Sequence, residues 1–298
     1  MDSTTRSARI LDGKATAAAI RAEVREGCDR LRARGVVAGL TVILVGDHPA
    51  SAVYVRNKEK ASREAGIRGE VLRLPASTPE EEILAAVRGL NADPDVHGIL
   101  VQLPLPDAVN AQAVLEAIDP AKDVDGFHPV NAGRLLIGLP GLLPCTPAGV
   151  IELLKRHAIP LRGRHACVLG RSNIVGKPMA VLLLREHCTV TVCHSRTEGL
   201  AEIAARADLL VAAIGRPEFV TGAFVRPGAV VVDVGIHSVP DPATGRNRLT
   251  GDVLASEAAA KASWLSPVPG GVGPMTIAML LKNTLEAALT SVDGSGSR

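Results

Sequence analysis

The sequence predicts an α/β protein of two domains, and three observations lead to that prediction. Strand-like apolar runs alternate with helical patterns along most of the 298 residues, which favours parallel sheets flanked by helices. Two Gly- and Pro-rich segments, residues 137–149 and 266–274, interrupt this alternation. Apolar residues at helical spacing follow the second segment, after a nucleotide-binding half is already complete. We therefore expect a first domain of residues 1–146, a second of residues 147–274, and a C-terminal helix, 275–292, that returns to the first domain.

Composition excludes several classes of function. Hydrophobic residues make up 47% and charged residues 21% of the chain, as in ordinary globular proteins. The net charge of +2 gives no argument for nucleic acid or membrane binding, and an aromatic content of 2% argues against stacking on single-stranded nucleic acid. The polar start lacks the apolar core of a signal peptide, and no apolar run approaches membrane-spanning length. Five scattered cysteines are typical of reduced thiols, so we expect a cytoplasmic protein.

The first domain is predicted to alternate helices and strands from residue 13 onward. Thr78 and Glu81 flank a helix start in the pattern of a capping box, so Thr78 is its predicted N-cap. The polar segment 120–131 is predicted to be a loop. In order, the elements are helix 13–34, strand 40–45, a helix ending near Gly66, strand 70–74, a helix from Pro79 to Asn91, strand 96–103 and a short helix, 110–118.

The helix after strand 40–45 carries candidate reactive side chains. Ser51, Tyr54 and Lys58 are spaced i, i+3, i+7, which places them on one helix face. A phenol one turn before an amine can hold that amine, and an amine that is desolvated or near another cation loses basicity. The pair is therefore a candidate for proton transfer if this face lines a pocket. The alternative is a solvated lysine beside a half-buried tyrosine.

Two more polar residues of the first domain follow strand ends. Gln102 ends the strand 96–103, and Asp125 lies in the loop that comes after the next helix. Ligand groups in a parallel α/β layer belong at the carboxyl ends of the strands, so both are expected near Tyr54 and Lys58. A backbone-paired amide at Gln102 and a loop-capping carboxylate at Asp125 are the structural alternatives.

The second domain begins with a βα unit at His165. Its strand, residues 165–170, leads into the loop GRSNIVGKP and a helix that ends near His187, and strands follow at 189–194, 208–214 and 229–236. This is a Rossmann-like order. The loop, Gly170-x-Ser172-x-x-x-Gly176, departs from the usual glycine fingerprint, but it lies between strand and helix as a dinucleotide site requires. The Ser172 hydroxyl is expected to donate to a pyrophosphate, and a tight turn without a ligand is the alternative.

The end of the second Rossmann-like strand bears on the choice of nucleotide. It ends His194-Ser195-Arg196-Thr197 without the carboxylate that usually accepts from the ribose of NAD, and Arg171 lies in the first loop. Two guanidiniums and two hydroxyls suit a 2′-phosphate, which predicts NADP. Either arginine can instead be an ordinary solvated residue.

The cysteines and histidines near this strand do not predict a metal site. The pairs His187-Cys188 and Cys193-His194 flank a β-branched run, which places them at opposite ends of a strand. No zinc spacing fits, so we predict no metal. Because the chain crosses twice between domains, a cleft is expected there, with Gly270 and Gly271 allowing close approach to a flat ligand.

Several ordered segments resemble one family over nearly the whole chain, the bifunctional methylenetetrahydrofolate dehydrogenase/methenyltetrahydrofolate cyclohydrolases. The matching segments are VGDHPASAVYVRNKEKA, GILVQLPLP, KDVDGFHPVNAGRL, PCTPAGV, GRSNIVGKP, DVGI, GDV and PVPGGVGPMT. The resemblance implies NADP-linked oxidation of 5,10-methylenetetrahydrofolate and hydrolysis of the methenyl product to 10-formyltetrahydrofolate. It also implies a cytoplasmic homodimer whose substrate is a tetrahydrofolate derivative.

The resemblance also implies roles for individual residues. Lys58 resembles the key catalytic lysine, Tyr54 its neighbour, Gln102 its modulator and Asp125 the pterin anchor. The implied substrate contacts are Ser51, Tyr54, Val101, Leu103, Asp125, Pro269, Gly270 and Gly271. The implied cofactor contacts are Thr146, Gly170, Arg171, Ser172, Ile174, Val175, Ser195, Arg196, Gly215, Ile236, Gly273 and Thr276.

Three other functions are compatible with parts of the sequence. The Tyr54-x-x-x-Lys58 spacing also occurs in short-chain dehydrogenases, but there the pair follows the dinucleotide fingerprint, and here it precedes it in another domain. A monofunctional dehydrogenase or cyclohydrolase remains the main alternative. A folate- or nucleotide-binding protein without turnover is the third, and the intact set of Lys58, Gln102 and Asp125 argues against it.

Overall fold

A computed structural model describes residues 7–47, 49–241 and 245–295. The chain divides into two compact units. The three-stranded unit contains Ala18–Cys145 and the residues from Ile277 onward; the six-stranded unit contains the residues up to Ala17 and Thr146–Thr276. Within the described ranges, no helix combines the length and apolar character that crossing a membrane demands.

The strands and helices alternate through most of the chain. The strands are β1 (Arg9–Ile10), β2 (Gly39–Val45), β3 (Arg68–Leu74), β4 (Gly98–Val101), β5 (His165–Leu169), β6 (Thr189–Cys193), β7 (Leu209–Ala212), β8 (Val230–Asp233), β9 (His237–Pro240), β10 (Asn247–Thr250) and β11 (Trp264–Leu265). The helices are α1 (Gly13–Ala33), α2 (Pro49–Glu64), α3 (Glu80–Ala92), α4 (Ala111–Glu116), α5 (Pro129–Ile137), α6 (Cys145–Arg156), α7 (Gly176–Arg185), α8 (Leu200–Ala204), α9 (Ala255–Ala259) and α10 (Val272–Ser295).

The three-stranded unit is built on the parallel sheet β3-β2-β4. The central strand β2 is buried at every position, because neighbours cover both of its edges and both of its faces, and this accounts for its continuous apolar sequence. Ile43, Ile83 and Ile99 lie in one core between this sheet and its helices, and each is fully buried. The parallel layer that the alternating sequence predicted is therefore confirmed.

The start of α3 differs from the prediction. Pro79, not Thr78, is the N-cap, with extended backbone (ψ 147°) and no side-chain capping bond. Glu81 does not close a capping box, because its carboxylate accepts from Arg88 Nη2 at 2.5 Å. The helix therefore begins one residue later than a capping box would place it.

The six-stranded unit carries the parallel sheet β1-β11-β8-β7-β5-β6. Strand β5 pairs with β6 on one side and with β7 on the other, which is the strand reversal where nucleotides bind in open α/β sheets. Val168, Val211 and Val231 of these strands are fully buried. The Rossmann-like prediction is confirmed.

The N-terminal segment lies in the six-stranded unit, whereas the sequence assigned it to the first domain. Arg9 and Ile10 pair in parallel with Trp264 and Leu265, so β1 is an edge strand of the larger sheet. Two residues are too few to show a strand period, and their partners lie far along the chain. The hairpin β9–β10 was likewise not predicted.

Two helices begin where the sequence predicted a loop or linker. Helix α5 begins at Pro129, and α6 begins at Cys145 with Pro147 in its first turn. Proline is tolerated there because the first amides of a helix have no helical acceptor. The prolines that indicated a break therefore stand at helix starts.

The last helix returns to the three-stranded unit, as predicted. From Ile277 onward α10 belongs to that unit, and Ala278, Leu281 and Ala288 are fully buried. Asn283 of this helix donates to the carbonyls of Val124 and Leu143, both at 2.8 Å. The end of the chain thus supports the loop that carries Asp125.

Candidate active site

Lys58 and Gln102 meet at the carboxyl edge of the three-stranded sheet. The parallel pairing of β2 with β4 continues one residue past β4, where Gln102 N donates to Ile43 O at 2.9 Å. Lys58 Nζ donates to Gln102 Oε1 at 3.0 Å. Gln102 Nε2 donates to Leu103 O at 2.8 Å, which fixes the amide with its oxygen toward the lysine. The half-buried Lys58 amine is therefore held in one position.

Asp125 completes this cluster. It is half-buried, and burial raises the pKa of its carboxyl. The positive charge of Lys58 lowers that pKa, Asp123 raises it further, and a hydrogen bond with Cys145 lowers it. The structure therefore brings Lys58, Gln102 and Asp125 together from three separate segments.

The Asp125 loop is held by two buried side chains that the sequence analysis did not single out. Asn283 Nδ2 contacts the carbonyl of Val124, and Cys145 Sγ donates to the same carbonyl at 3.1 Å. Burial, with the Asp125 charge next in importance, raises the pKa of the Cys145 thiol, so this thiol stays a donor. The family segment PCTP contains Cys145, but no local pattern in the sequence indicates its partners.

The other predicted substrate residues of this unit differ in exposure. Ser51 is 5% exposed and Tyr54 is 40% exposed, so the helix face carries one buried and one accessible hydroxyl. In the part of the chain that the structure describes, the Tyr54 hydroxyl makes no hydrogen bond with Lys58. Val101 is buried and Leu103 is half-buried. Gln102, and not Tyr54, is thus the side chain that holds the amine.

Pro269, Gly270 and Gly271 lie in the six-stranded unit, just before α10. Gly270 has φ +107°, a conformation that side chains with a Cβ rarely adopt. A Cβ on the buried Gly271 would lie 2.6 Å from Pro267 O. This turn therefore requires both glycines.

The loop from Gly170 to Gly176 forms a narrow turn at the start of α7. Gly170 has φ +129°, and a Cβ there would collide with the carbonyl of Ala213. A Cβ on Gly176 would likewise collide with the carbonyl of Gly170. Ser172 Oγ accepts from the amides of Val175 and Gly176 at 3.1 and 3.2 Å. The serine oxygen thus accepts from the last amide before α7 and from the first amide of α7, which leaves its hydroxyl hydrogen to donate to a ligand.

The other predicted nucleotide residues of the six-stranded unit lie at strand or helix ends. Arg171 follows β5, Ser195 and Arg196 follow the neighbouring strand β6, and all three are exposed. Neither arginine forms an ion pair within the described ranges. Thr146 and Thr276 join their hydroxyls at 2.9 Å. Ile174 and Gly273 are exposed, and Val175 is half-buried.

Gly215 and Ile236 follow β7 and β8, and two buried aspartates accept from the amides of Gly215 and Gly235. Asp233 is 3% exposed and Asp252 is fully buried. Burial raises the pKa of Asp233 to about 6, while amides of Val253 and Asp252 lower it. Their segments, DVGI and GDV, resemble those of the family, but the sequence alone predicted no role for the two aspartates. An aspartate within two residues of a glycine in both segments is the signal that was available.

Comparison with known proteins matches both units to one family. Residues 11–125 match the family model described as the tetrahydrofolate dehydrogenase/cyclohydrolase catalytic domain. Residues 144–292 match the model of its NAD(P)-binding domain. The Bifunctional protein FolD of Moorella thermoacetica is 57% identical over 281 residues, which cover 94% of this chain and 99% of the relative.

Solved structures agree with the sequence relatives. The FolD methylenetetrahydrofolate dehydrogenase/cyclohydrolase of Campylobacter jejuni has a TM-score of 0.92 at 48% identity, covering 95% of this chain and 99% of that one. The Trypanosoma brucei methylenetetrahydrofolate dehydrogenase-cyclohydrolase, solved with NADP and an inhibitor, has a TM-score of 0.91 at 42% identity, with 96% and 99% covered. This chain therefore belongs to the tetrahydrofolate dehydrogenase/cyclohydrolase family.

Proposed function

We propose that Lys58, oriented by Gln102 beside Asp125, transfers the protons in the hydrolytic step of a two-step folate reaction. The chain is a bifunctional methylenetetrahydrofolate dehydrogenase and methenyltetrahydrofolate cyclohydrolase that uses NADP. It oxidises 5,10-methylenetetrahydrofolate and hydrolyses the methenyl product to 10-formyltetrahydrofolate. The observation that carries the residue assignment is the 3.0 Å bond from Lys58 Nζ to Gln102 Oε1 in a half-buried cluster.

The oxidation step needs little acid–base catalysis from the protein. NADP⁺ supplies the hydride acceptor, and loss of hydride from the methylene carbon leaves a cation shared by two folate nitrogens. The chain must mainly align the two reactants. The narrow turn of Gly170 and Gly176, opening onto the start of α7, fits a pyrophosphate, because backbone amides point out of a helix N-terminus.

The exposed arginines support NADP as the nucleotide. Arg171 and Arg196 follow adjacent strands, and guanidinium groups recognise phosphate through paired donors. Ser195 adds a hydroxyl at the same strand end. The related Trypanosoma brucei enzyme was solved in complex with NADP.

Hydrolysis needs a group that moves protons. Water adds to the methenyl carbon and loses one proton. The resulting hydroxyl loses its proton as the formyl C=O forms and the bond from that carbon to N5 breaks, and N5 gains a proton, so that one proton is released overall. Lys58 is suited to carry these protons because Gln102 Oε1 holds one N–H while the rest of the amine remains free to turn toward substrate. Tyr54, one turn before Lys58 on the same helix, supplies an accessible hydroxyl.

Asp125 is proposed to bind the pterin edge. Its two oxygens match the adjacent N–H donors of a pyrimidinone ring. The neighbouring Lys58 charge favours the ionised carboxylate against the effect of burial. We assign the remaining substrate contacts to Ser51, Val101, Leu103, Pro269, Gly270 and Gly271, and the remaining nucleotide contacts to Thr146, Ser172, Ile174, Val175, Gly215, Ile236, Gly273 and Thr276.

We also propose that the enzyme is a cytoplasmic homodimer. The family resemblance supports the dimer. All five cysteines are free and buried, and unpaired thiols are typical of proteins in a reducing compartment. Sedimentation of the purified protein tests the dimer directly.

One assay tests the activity and the assignment of Lys58. Wild type, Lys58→Met and Lys60→Met are incubated with methylenetetrahydrofolate and NADP⁺, and formation and decay of the methenyl product are followed by absorbance. Lys60 is the matched control because its side chain is 78% exposed and forms a surface ion pair with Glu64. We expect both steps in wild type and in Lys60→Met, and about a 100-fold or greater loss of hydrolysis in Lys58→Met.

The same assay separates the alternative functions. Methenyl decay no faster than in buffer would leave a monofunctional dehydrogenase. Hydrolysis of added methenyl substrate without its formation would leave a cyclohydrolase. Binding without either step would leave a folate- or nucleotide-binding protein.

A further inference from the structure

The strands β7 and β8 of the six-stranded unit end in loops that share one buried anchor. Asp252 is fully buried, and its carboxylate accepts from three consecutive backbone amides. Ile214 N and Gly215 N donate to Oδ2 at 2.6 and 3.0 Å, and Arg216 N donates to Oδ1 at 3.0 Å. His237 Nε2 lies 2.8 Å from Oδ1. The carboxylate thus fixes the turn that directly follows β7.

Asp233, at the end of β8, holds Asp252 in turn. Its Oδ1 accepts from the amides of Asp252 and Gly235 at 2.9 and 3.0 Å, and its Oδ2 accepts from Val253 N at 3.0 Å. Ser266 Oγ accepts from the amide of Asp233 at 2.7 Å and so ties this residue to the segment after β11. The two aspartates therefore connect the chain after β7, after β8 and after the hairpin β9–β10.

Two glycines make room for this arrangement. A Cβ on Gly251 would collide with the Asp233 carboxylate, and a Cβ on Gly235 would collide with the Asp252 carboxylate. The Asp233 carboxylate thus lies against Gly251, and the Asp252 carboxylate lies against Gly235. The segments Asp233-Val-Gly235 and Gly251-Asp252-Val253 form one reciprocal clamp.

We propose that Asp252, held by Asp233, is a positioning residue for the dinucleotide. Gly215, a proposed nucleotide contact, donates directly to Asp252, and Ile236, another proposed contact, follows Gly235, whose amide donates to Asp233, so the inference rests on the proposed function of this unit. Three backbone amides and His237 Nε2 surround the Asp252 carboxylate. The carboxylate therefore fixes the position of this backbone more closely than solvent could. The clamp sets the affinity for NADP⁺ and takes no part in hydrolysis at Lys58.

The bifunctional chemistry provides an internal control for the test. Asp252→Asn preserves size but replaces one accepting oxygen by an N–H₂ group, which opposes the backbone donors. We expect the KM for NADP⁺ to rise by about tenfold or more, because small displacements of binding groups have large effects. Hydrolysis of added methenyltetrahydrofolate, and its KM, should remain within about twofold of wild type.

Asp208→Asn is the matched control in the same unit. Asp208 lies just before β7, at the amino ends of the strands and away from the clamp. It accepts from His165 N at 3.0 Å and forms an ion pair with Arg226. We expect this variant to leave the KM for NADP⁺ unchanged even where it lowers the melting temperature. An equal rise in KM in both variants would show that loss of stability alone is responsible, and would overturn the inference.

Amide hydrogen exchange gives a second measurement, whose wild-type part does not depend on the folding of a variant. The amides of Ile214, Gly215 and Arg216 should be protected, and Asp252→Asn should lose that protection selectively. Unprotected amides in wild type would overturn the inference. Fluorescence titration with NADPH distinguishes failure of the proposed function from failure of the clamp. No binding by wild type contradicts the proposed function, whereas equal binding by wild type and Asp252→Asn contradicts only the clamp.

Discussion

Asn283 of the last helix donates a hydrogen bond to the carbonyl of Val124, the residue before Asp125, at 2.8 Å. The same amide group donates to Leu143 O at 2.8 Å. Both carbonyls belong to segments that flank the candidate pterin anchor. The C-terminal helix therefore supports the active site as well as the core of the three-stranded unit.

Replacing Asn283 by Ala should weaken both folding and folate binding. Loss of the amide leaves Leu143 O without this donor and removes one of the two donors to Val124 O. Leaving a buried polar group unsatisfied lowers the free energy of unfolding by about 1–3 kcal/mol. The Asp125 loop then moves, and the KM for methylenetetrahydrofolate rises. Urea unfolding and initial rates measure the two effects. Thr290→Ala on the exposed part of the same helix should change neither, and an unchanged KM in Asn283→Ala would contradict a role for this residue at the site.

Replacing Gln102 by Met should impair hydrolysis more than oxidation. The variant keeps side-chain length but removes the oxygen that holds Lys58 Nζ. Since hydrolysis needs proton transfer and oxidation needs alignment, we expect methenyl hydrolysis to fall about tenfold or more. Gln112→Met is the control, because Gln112 is exposed and bonds Glu116. Equal losses in both steps would indicate a general structural role for Gln102.

Replacing Asp125 by Asn should weaken folate binding by about 1.5–3 kcal/mol, the range for a hydrogen bond to a charged group. In wild type the KM for folate should also rise on acidification. Burial raises the pKa of this carboxyl, so protonation removes the accepting form at a higher pH than for an ordinary aspartate. Initial rates across pH test both points. Asp119→Asn, in the same loop, serves as the control; a wild-type KM that stays flat into the acid range argues against this anchor.

Replacing Arg171 or Arg196 by Gln should shift the nucleotide preference from NADP toward NAD. Each loses a charged donor to phosphate, so the ratio of kcat/KM values for NADP⁺ and NAD⁺ should fall about tenfold. The value for NAD⁺ itself should change little. Arg162→Gln, exposed before β5, is the control. A uniform loss with both nucleotides would mean that these residues do not contact the 2′-phosphate.

Replacing Asp233 by Asn should flatten part of the pH dependence of stability. Burial raises the folded-state pKa of Asp233 from 3.8 to about 6. Between these values the folded state retains a proton that the unfolded state has lost, so this group makes stability fall as pH rises through the window. A shift of this size corresponds to roughly 3 kcal/mol. Urea unfolding at several pH values should show that Asp233→Asn gains stability relative to wild type from about pH 4 to 6; a constant difference contradicts the raised pKa.

The sequence alone determined the order of the main elements and the identity of the central polar residues. Strand β2 shows a continuous apolar run, and the Gly170 loop lies between strand and helix, so local pattern sufficed for both. Lys58, Gln102 and Asp125 were found through their positions after strands and through family resemblance. The helix starts at Pro129 and Cys145 were missed because proline indicates a loop and a helix start equally well.

Only the tertiary structure decided which side chains hold those residues in place. Asn283 is 159 residues from Val124, and the two aspartates of the clamp act through backbone amides on other segments. Such contacts have no sequence period, because any residue with a backbone offers the same amide and carbonyl. The partner of a buried polar atom is therefore set by which chain segments the folded core brings side by side.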